Sequence, residues 1–90
     1  MPIIEIKVTV PNLNPGDSNG AVARLQHILN DLDRFSGETL LKEDGVFGRK
    51  TTDRVIKYQR DSHISPAAGG VGEKTWIALL EDWLINSVGD

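Results

Sequence analysis

Two glycine-containing stretches, Asp44-Gly45-Val46-Phe47-Gly48-Arg49-Lys50-Thr51 and Gly69-Gly70-Val71-Gly72-Glu73-Lys74-Thr75, decide the fold of this chain. Both contain the pattern glycine, any residue, apolar residue, glycine, any residue, lysine, threonine. The glycines permit a positive φ or a close backbone approach, and the apolar residue between them can fill a core below the turn. The threonine can hydrogen-bond at the start of a helix and cap its unpaired amides. Two such motifs with identical spacing predict a duplicated turn-helix unit.

Three segments around these motifs repeat apolar residues at three- and four-residue spacing, as amphipathic helices do. The first segment starts near Asn19, the second after Gly48 and the third at Glu73. Asp17, Ser18 or Asn19 is suited to cap the first helix. The positions on the repeating face are Val22, Leu25, Ile28, Leu29 and Leu32 in the first segment, Thr51, Val55 and Tyr58 in the second, and Trp76, Leu79, Leu80, Trp83 and Leu84 in the third. The sequence therefore predicts a mainly α fold, a compact three-helix bundle with two repeated Gly-x-apolar-Gly units.

The N-terminal segment has a different period from the rest of the chain. Ile4 to Val10 alternates apolar and polar residues, which predicts a β-strand, and the stretch 11–17, rich in proline, asparagine and glycine, predicts a linker. Because a three-helix bundle has no sheet for this strand to join, the strand either pairs with a partner protein or a second copy, or packs as an arm over the bundle. We expect an arm and linker over residues 1–14, the helical domain over 15–84 and a tail over 85–90.

The composition argues against several classes of protein. The chain has 90 residues, of which 39% are hydrophobic and 26% charged, as is typical of one soluble globular domain. It contains no cysteine, so its stability must come from packing rather than from disulfides. A net charge of -3 argues against a nucleic-acid partner. The first residues do not have the pattern of a signal peptide, and no apolar run reaches membrane-spanning length, so we expect no membrane partner.

Few residues of the sequence are suited to chemistry. His27 and His63 are the only histidines and lie far apart without cysteines, so the ligand spacing of a zinc site is missing. Ser62 neighbours His63, but adjacent side chains on a helix point apart, which argues against a nucleophile paired with a base. We therefore expect no catalytic residue, no metal and no cofactor.

Three blocks of the sequence share their order and spacing with a known family. They are Gly20-x-x-x-x-Leu25-Gln26-x-x-Leu29, Asp44-Gly45-x-Phe47-Gly48-x-x-Thr51-x-x-x-Val55-x-x-Tyr58-Gln59 and Gly69-x-Val71-Gly72-x-x-Thr75-Trp76-x-x-Leu79. Over Pro15 to Leu80 the chain thus resembles the peptidoglycan-binding-like domain family of cell-wall hydrolases. Two positions depart from the family pattern, since Ala68 replaces an aspartate before the second motif and Arg54 replaces a small residue in the second helix.

The resemblance implies a non-catalytic module that binds bacterial peptidoglycan, through either its glycan or its stem peptide. Such a module holds an attached or associated hydrolase on the wall, which implies a cell-envelope or extracellular location. The alternative is a protein-interaction scaffold in a secretion apparatus, a phage particle or an enzyme complex, because fold does not fix function.

Six residues are candidates for contact with a ligand: Asp44, Arg49, Gln59, Gln26, Trp76 and Tyr58. The two glutamines belong to the family pattern and either reach the wall ligand or satisfy backbone groups at a helix end or loop. The two aromatic side chains either stack on a sugar or pack in the core. The arginine either pairs with a stem-peptide carboxylate or is only solvated, and the aspartate could charge or shape the ligand site.

Overall fold

The chain folds into three helices connected by turns. The computed structural model describes residues 10–34, 37 and 39–88. Its helices are α1 (Gly20–Asp33), α2 (Arg49–Asp61) and α3 (Glu73–Val88), and α1 packs against both of the others. The predicted mainly α, three-helix fold is confirmed. The predicted strand lies outside the described residues except for Val10, which is partly buried against the core.

Helix α1 begins at a side-chain cap that also contacts the first glycine turn. Asn19 has an extended backbone, and its side-chain oxygen accepts a hydrogen bond from the Val22 N–H at 3.0 Å. Of the three predicted capping residues, Asn19 is therefore the one that caps the helix. Its own N–H donates to the Gly45 carbonyl at 3.0 Å, so the start of α1 and the first turn are fixed to each other.

The core is built from all three helices and from both glycine turns. Phe47 and Val71, the apolar residues of the two motifs, are each 1% exposed, as the sequence predicted. The remaining core residues are Val22, Leu25, Ile28 and Leu29 of α1, Val55 of α2, Trp76 and Leu79 of α3, and Leu13 and Leu41 of the connecting segments. Burying a side chain as large as that of Phe47 contributes about 1.5–3 kcal/mol, so the turns stabilise the bundle as well as connecting its helices.

The segment before α1 joins the two glycine turns. Leu13 exchanges two backbone hydrogen bonds with Val71, at 2.9 and 2.7 Å, and its side chain is only 2% exposed. Further along, the Gly16 N–H donates to Phe47 O at 2.8 Å and the Phe47 N–H donates to Asp17 O at 2.9 Å. The turn-forming stretch that the sequence predicted as a linker therefore also supplies a core residue and pairs with both motifs.

Candidate functional site

The first glycine turn is held from inside the protein by Gln26, which is 1% exposed. Its Oε1 accepts the Gly45 N–H at 3.0 Å, while its Nε2 donates to Val46 O at 2.9 Å and to Thr51 Oγ1 at 3.0 Å. Asp44 Oδ1 lies a further 3.3 Å from the same Nε2. One side chain of α1 thus fixes both the turn and the start of α2.

The second glycine turn has the same arrangement around Gln59, which is also 1% exposed. Its Oε1 accepts the Gly69 N–H at 3.1 Å, and its Nε2 donates to Gly70 O at 2.8 Å and to Thr75 Oγ1 at 3.1 Å. The sequence predicted that the motif threonines, Thr51 and Thr75, would cap their helices. In the structure their hydroxyl oxygens accept from the glutamine amides instead, because a buried amide needs acceptors close by.

The two glutamines therefore satisfy turn and loop groups, which is the structural alternative that the sequence left open. Each amide has hydrogen-bond partners for both its oxygen and its nitrogen, and all of these partners belong to the protein itself. Direct contact of Gln26 or Gln59 with a ligand stays a prediction.

Asp44 and Arg49 lie at the surface beside the first turn. Asp44 Oδ1 accepts the Val46 N–H at 3.0 Å, and this backbone hydrogen bond, followed by that from Gln26, lowers the pKa of the Asp44 carboxyl group. Arg49 is exposed at the first position of α2. The two residues border a shallow cavity of about 340 Å³, which we call the turn surface.

The two aromatic candidates lie in separate places. Tyr58 is partly buried, and burial and its hydrogen bond to Asp82 raise the pKa of the phenol. Trp76 is only 5% exposed, and its Nε1 donates to Pro11 O at 2.7 Å. The structure therefore brings Gln26, Asp44 and Arg49 together at the turn surface and leaves Gln59, Tyr58 and Trp76 elsewhere.

A groove of about 660 Å³ lies between α1, α3 and residues 10–11. We call it the α1–α3 groove. Apolar side chains, among them Ala21, Leu80 and Trp83, line it together with a polar rim. The rim consists of Arg24, His27 and Glu43. Its volume falls within the range of about 300–1,000 Å³ that is usual for ligand pockets, and the mixture of apolar lining and a few polar groups is typical of them.

A series of polar contacts fixes most of this rim. His27 Nδ1 lies 3.0 Å from Glu43 Oε1, and His27 Nε2 lies 3.4 Å from Asp31 Oδ2. The Asn30 amide donates to Glu43 at 3.0 Å and lowers the pKa of that carboxyl group. The indole N–H of Trp83 donates to Asp31 at 2.9 Å and lowers the pKa of that carboxyl group in the same way. Both carboxylates are therefore charged at neutral pH and already hydrogen-bonded.

Arg24 differs from the other polar residues of the rim. It is exposed on α1, one helical turn before His27. Its guanidinium makes no hydrogen bond or ion pair with the part of the chain that the structure describes. The groove thus has one cation whose five N–H donors remain available to a ligand.

A family model described as "Putative peptidoglycan binding domain" matches residues 18–79, which is more than half of the chain. The chain belongs to this family. The resemblance predicted from the three sequence blocks is confirmed. The matched range contains α1, α2, both glycine turns and the first part of α3. It therefore includes the α1 wall of the α1–α3 groove and Trp76, whereas Leu80 and Trp83 on the α3 wall lie just beyond the matched residues of this peptidoglycan-binding domain.

Sequence reasoning named only one residue of this groove as a site candidate, Trp76. It missed Arg24, His27, Glu43 and Leu80, which line the same groove of the peptidoglycan-binding domain. One signal was available, since Arg24 and His27 are three residues apart on α1 and therefore share a helix face. The position of Glu43 could not be inferred, because it depends on how the loop after α1 folds back onto that helix.

Metal ligands and membrane-spanning helices are not found among the described residues. The histidine, aspartate and glutamate side chains of that part of the chain form no group of three that could hold a metal ion. The described helices are too short or too polar to cross a membrane.

Proposed function

We propose that this domain binds peptidoglycan through the α1–α3 groove and performs no chemistry on it. The family match over residues 18–79 supports the ligand class and is the observation that carries the proposal. The groove supports the location, because it joins an apolar lining to a polar rim in a volume that fits a short segment of a polymer.

The turn surface competes with the groove for this role. Its cavity is smaller, about 340 Å³ against about 660 Å³ for the groove. The amide oxygen and the amide nitrogen of its central polar side chain, Gln26, both already have hydrogen-bond partners. The groove in contrast offers apolar area from Leu80 and Trp83 and the available guanidinium of Arg24. These differences favour the groove.

A groove that is partly open to solvent suits weak binding to an abundant polymer. Such binding raises the effective concentration of anything covalently attached to the domain or bound to it. We therefore include in the proposal that the domain holds an attached or associated hydrolase near the wall, in the cell envelope or outside the cell.

Co-sedimentation with purified, insoluble peptidoglycan tests this proposal. We expect the wild-type chain to pellet with the wall material and a Leu80→Ser variant to bind roughly tenfold more weakly, because it loses about 1–2 kcal/mol of apolar contact in the groove. The matched control is Ile77→Ser on the same helix, since Ile77 is 48% exposed and does not line the groove.

The control variant should bind like the wild-type chain, and thermal melts of both variants would show that they remain folded. A wild-type chain that stays in the supernatant would contradict the proposed ligand. Equal binding by the wild-type chain and a folded Leu80→Ser variant would move the site away from the groove.

A protein-interaction scaffold is the second candidate function. It is favoured by the end of α3, where Leu84 and Ile85 are 56% and 69% exposed. A partner protein that co-purifies with the wild-type chain and is lost with Leu84→Ser would support this function, as would a failure of the wild-type chain to pellet with peptidoglycan.

A further inference from the structure

The available arginine of the α1–α3 groove points to one component of the wall polymer. Resting on the proposed function, we infer that the groove binds the stem peptide of peptidoglycan rather than its glycan strand. Arg24 pairs with a carboxylate of the peptide, and the apolar lining accepts its alanine methyl groups. This assignment narrows the substrate class of the proposed site to short, anionic peptides.

The tryptophans of the groove are poorly placed for stacking on sugar rings. A sugar that stacks on an indole needs an open ring face, yet Trp76 is only 5% exposed. Trp83 is partly buried, and its ring and that of His27 form a T-shaped pair at 78° with 6.5 Å between the ring centres. Both indole N–H groups are also engaged, one with Pro11 O and the other with Asp31. Aromatic stacking and indole hydrogen bonding therefore offer little to a glycan.

The charges around the groove favour a ligand that carries a carboxylate. Asp31 already accepts hydrogen bonds from Trp83 and Arg34, and Glu43 accepts one from Asn30 and contacts His27. The acidic groups thus have partners, whereas the guanidinium of Arg24 has none among the described residues. A guanidinium with all its N–H donors available binds a carboxylate more strongly than a neutral acceptor, because it can hold the carboxylate through two parallel hydrogen bonds.

The stem peptide and the glycan strand differ in the free carboxylates that they carry. The stem peptide has free carboxylates and alanine methyl groups. The glycan strand consists of N-acetylated sugars whose lactyl carboxyl groups are consumed wherever a peptide is attached. Hydrogen bonds from a cation to a carboxylate are about twice as strong as those between neutral groups. Arg24 beside the small, apolar Ala21 and Ala23 therefore complements the peptide better than the sugars.

The inference is tested with the full chain and three ligands. They are intact insoluble peptidoglycan, stripped glycan, and a synthetic stem tetrapeptide ending in D-alanine. The stripped glycan consists of strands from which an amidase has removed the peptides and whose lactyl carboxyl groups, freed by that cleavage, have then been converted to amides. We expect the wild-type chain to bind the intact material and the tetrapeptide but not the stripped glycan. We expect Arg24→Gln to weaken binding to the intact material and the tetrapeptide roughly tenfold. Arg24→Lys should restore part of the affinity, because it keeps the charge but loses the two-pronged geometry.

Arg60→Gln is the matched control. Arg60 is also exposed, and its substitution removes the same charge from the last turn of α2. It should bind all three ligands like the wild-type chain. Binding to stripped glycan at wild-type strength, or equal losses for Arg24→Gln and Arg60→Gln, would overturn the inference while leaving peptidoglycan binding intact. A chain that fails to bind intact peptidoglycan would overturn the proposed function and this inference with it.

Discussion

Replacing Gly45 with alanine is expected to lower the free energy of unfolding by about 2–5 kcal/mol. Gly45 has a φ of 76°, in the left-handed region where a side chain costs about 1–2 kcal/mol. A Cβ atom at this position would also lie 2.9 Å from the backbone oxygen of Asn19, the cap of α1. Because backbone atoms of a capped helix cannot move aside cheaply, the contact adds to the strain. Urea denaturation followed by circular dichroism measures the loss.

Gly16→Ala separates the two causes of this loss. Gly16 has a φ of 98°, but nothing lies within 4 Å of the position of its Cβ. It should therefore show the cost of the backbone conformation alone, about 1–2 kcal/mol. Gly69→Ala should be intermediate, since its Cβ would meet the end of the Thr52 side chain at 3.0 Å rather than backbone. Equal losses for Gly16→Ala and Gly45→Ala would show that the close approach to Asn19 does not matter.

Gln26→Met is expected to lower the free energy of unfolding by about 2–4 kcal/mol. Methionine has a similar length but neither accepts the buried Gly45 N–H nor donates to Val46 O and Thr51 Oγ1. Each buried polar group that loses its partner costs about 1–3 kcal/mol. The expected total is smaller than the sum over the three groups, because water can replace some of the lost hydrogen bonds. Chemical denaturation measures this loss. An unchanged m-value would show that the substitution lowers stability without changing the compactness of the denatured state.

The second motif provides a matched comparison for this variant. Gln59→Met removes the equivalent bonds to Gly69, Gly70 and Thr75, so it should cause a loss of similar size. A domain of this size is stabilised by about 5–15 kcal/mol, so each single variant should still fold at low temperature. If either substitution costs less than about 0.5 kcal/mol, the glutamine amides do not hold the turns together.

The fold could be predicted from the sequence because its decisive features are local. Helix faces follow from apolar spacing, and the glycine turns follow from a pattern that occurs twice. Phe47 and Val71 were correctly placed in the core for that reason. Leu13 was not, because a single leucine between prolines and asparagines has no period, and its burial depends on pairing with Val71 far along the chain.

The candidate site was harder to predict because it depends on contacts between distant segments. The groove combines Pro11, Arg24, Glu43 and Leu80, which only the packing of α1 against α3 and the loop brings together. The glutamines stood out in the sequence for a different reason. They are the buried polar residues that the repeated turn requires, so a strong pattern at Gln26 and Gln59 follows from the fold alone.

Binding through the α1–α3 groove is tested most directly by titrating the ¹⁵N-labelled chain with soluble peptidoglycan fragments. The chain has two tryptophans, and the indole N–H groups of both hydrogen-bond beside the groove. We predict shifts of both indole signals and of the Ala21, Ala23 and Arg24 amides, with little change at residues 45–51. Shifts confined to residues 45–51 around the turn surface, or none at saturating ligand, would contradict the account.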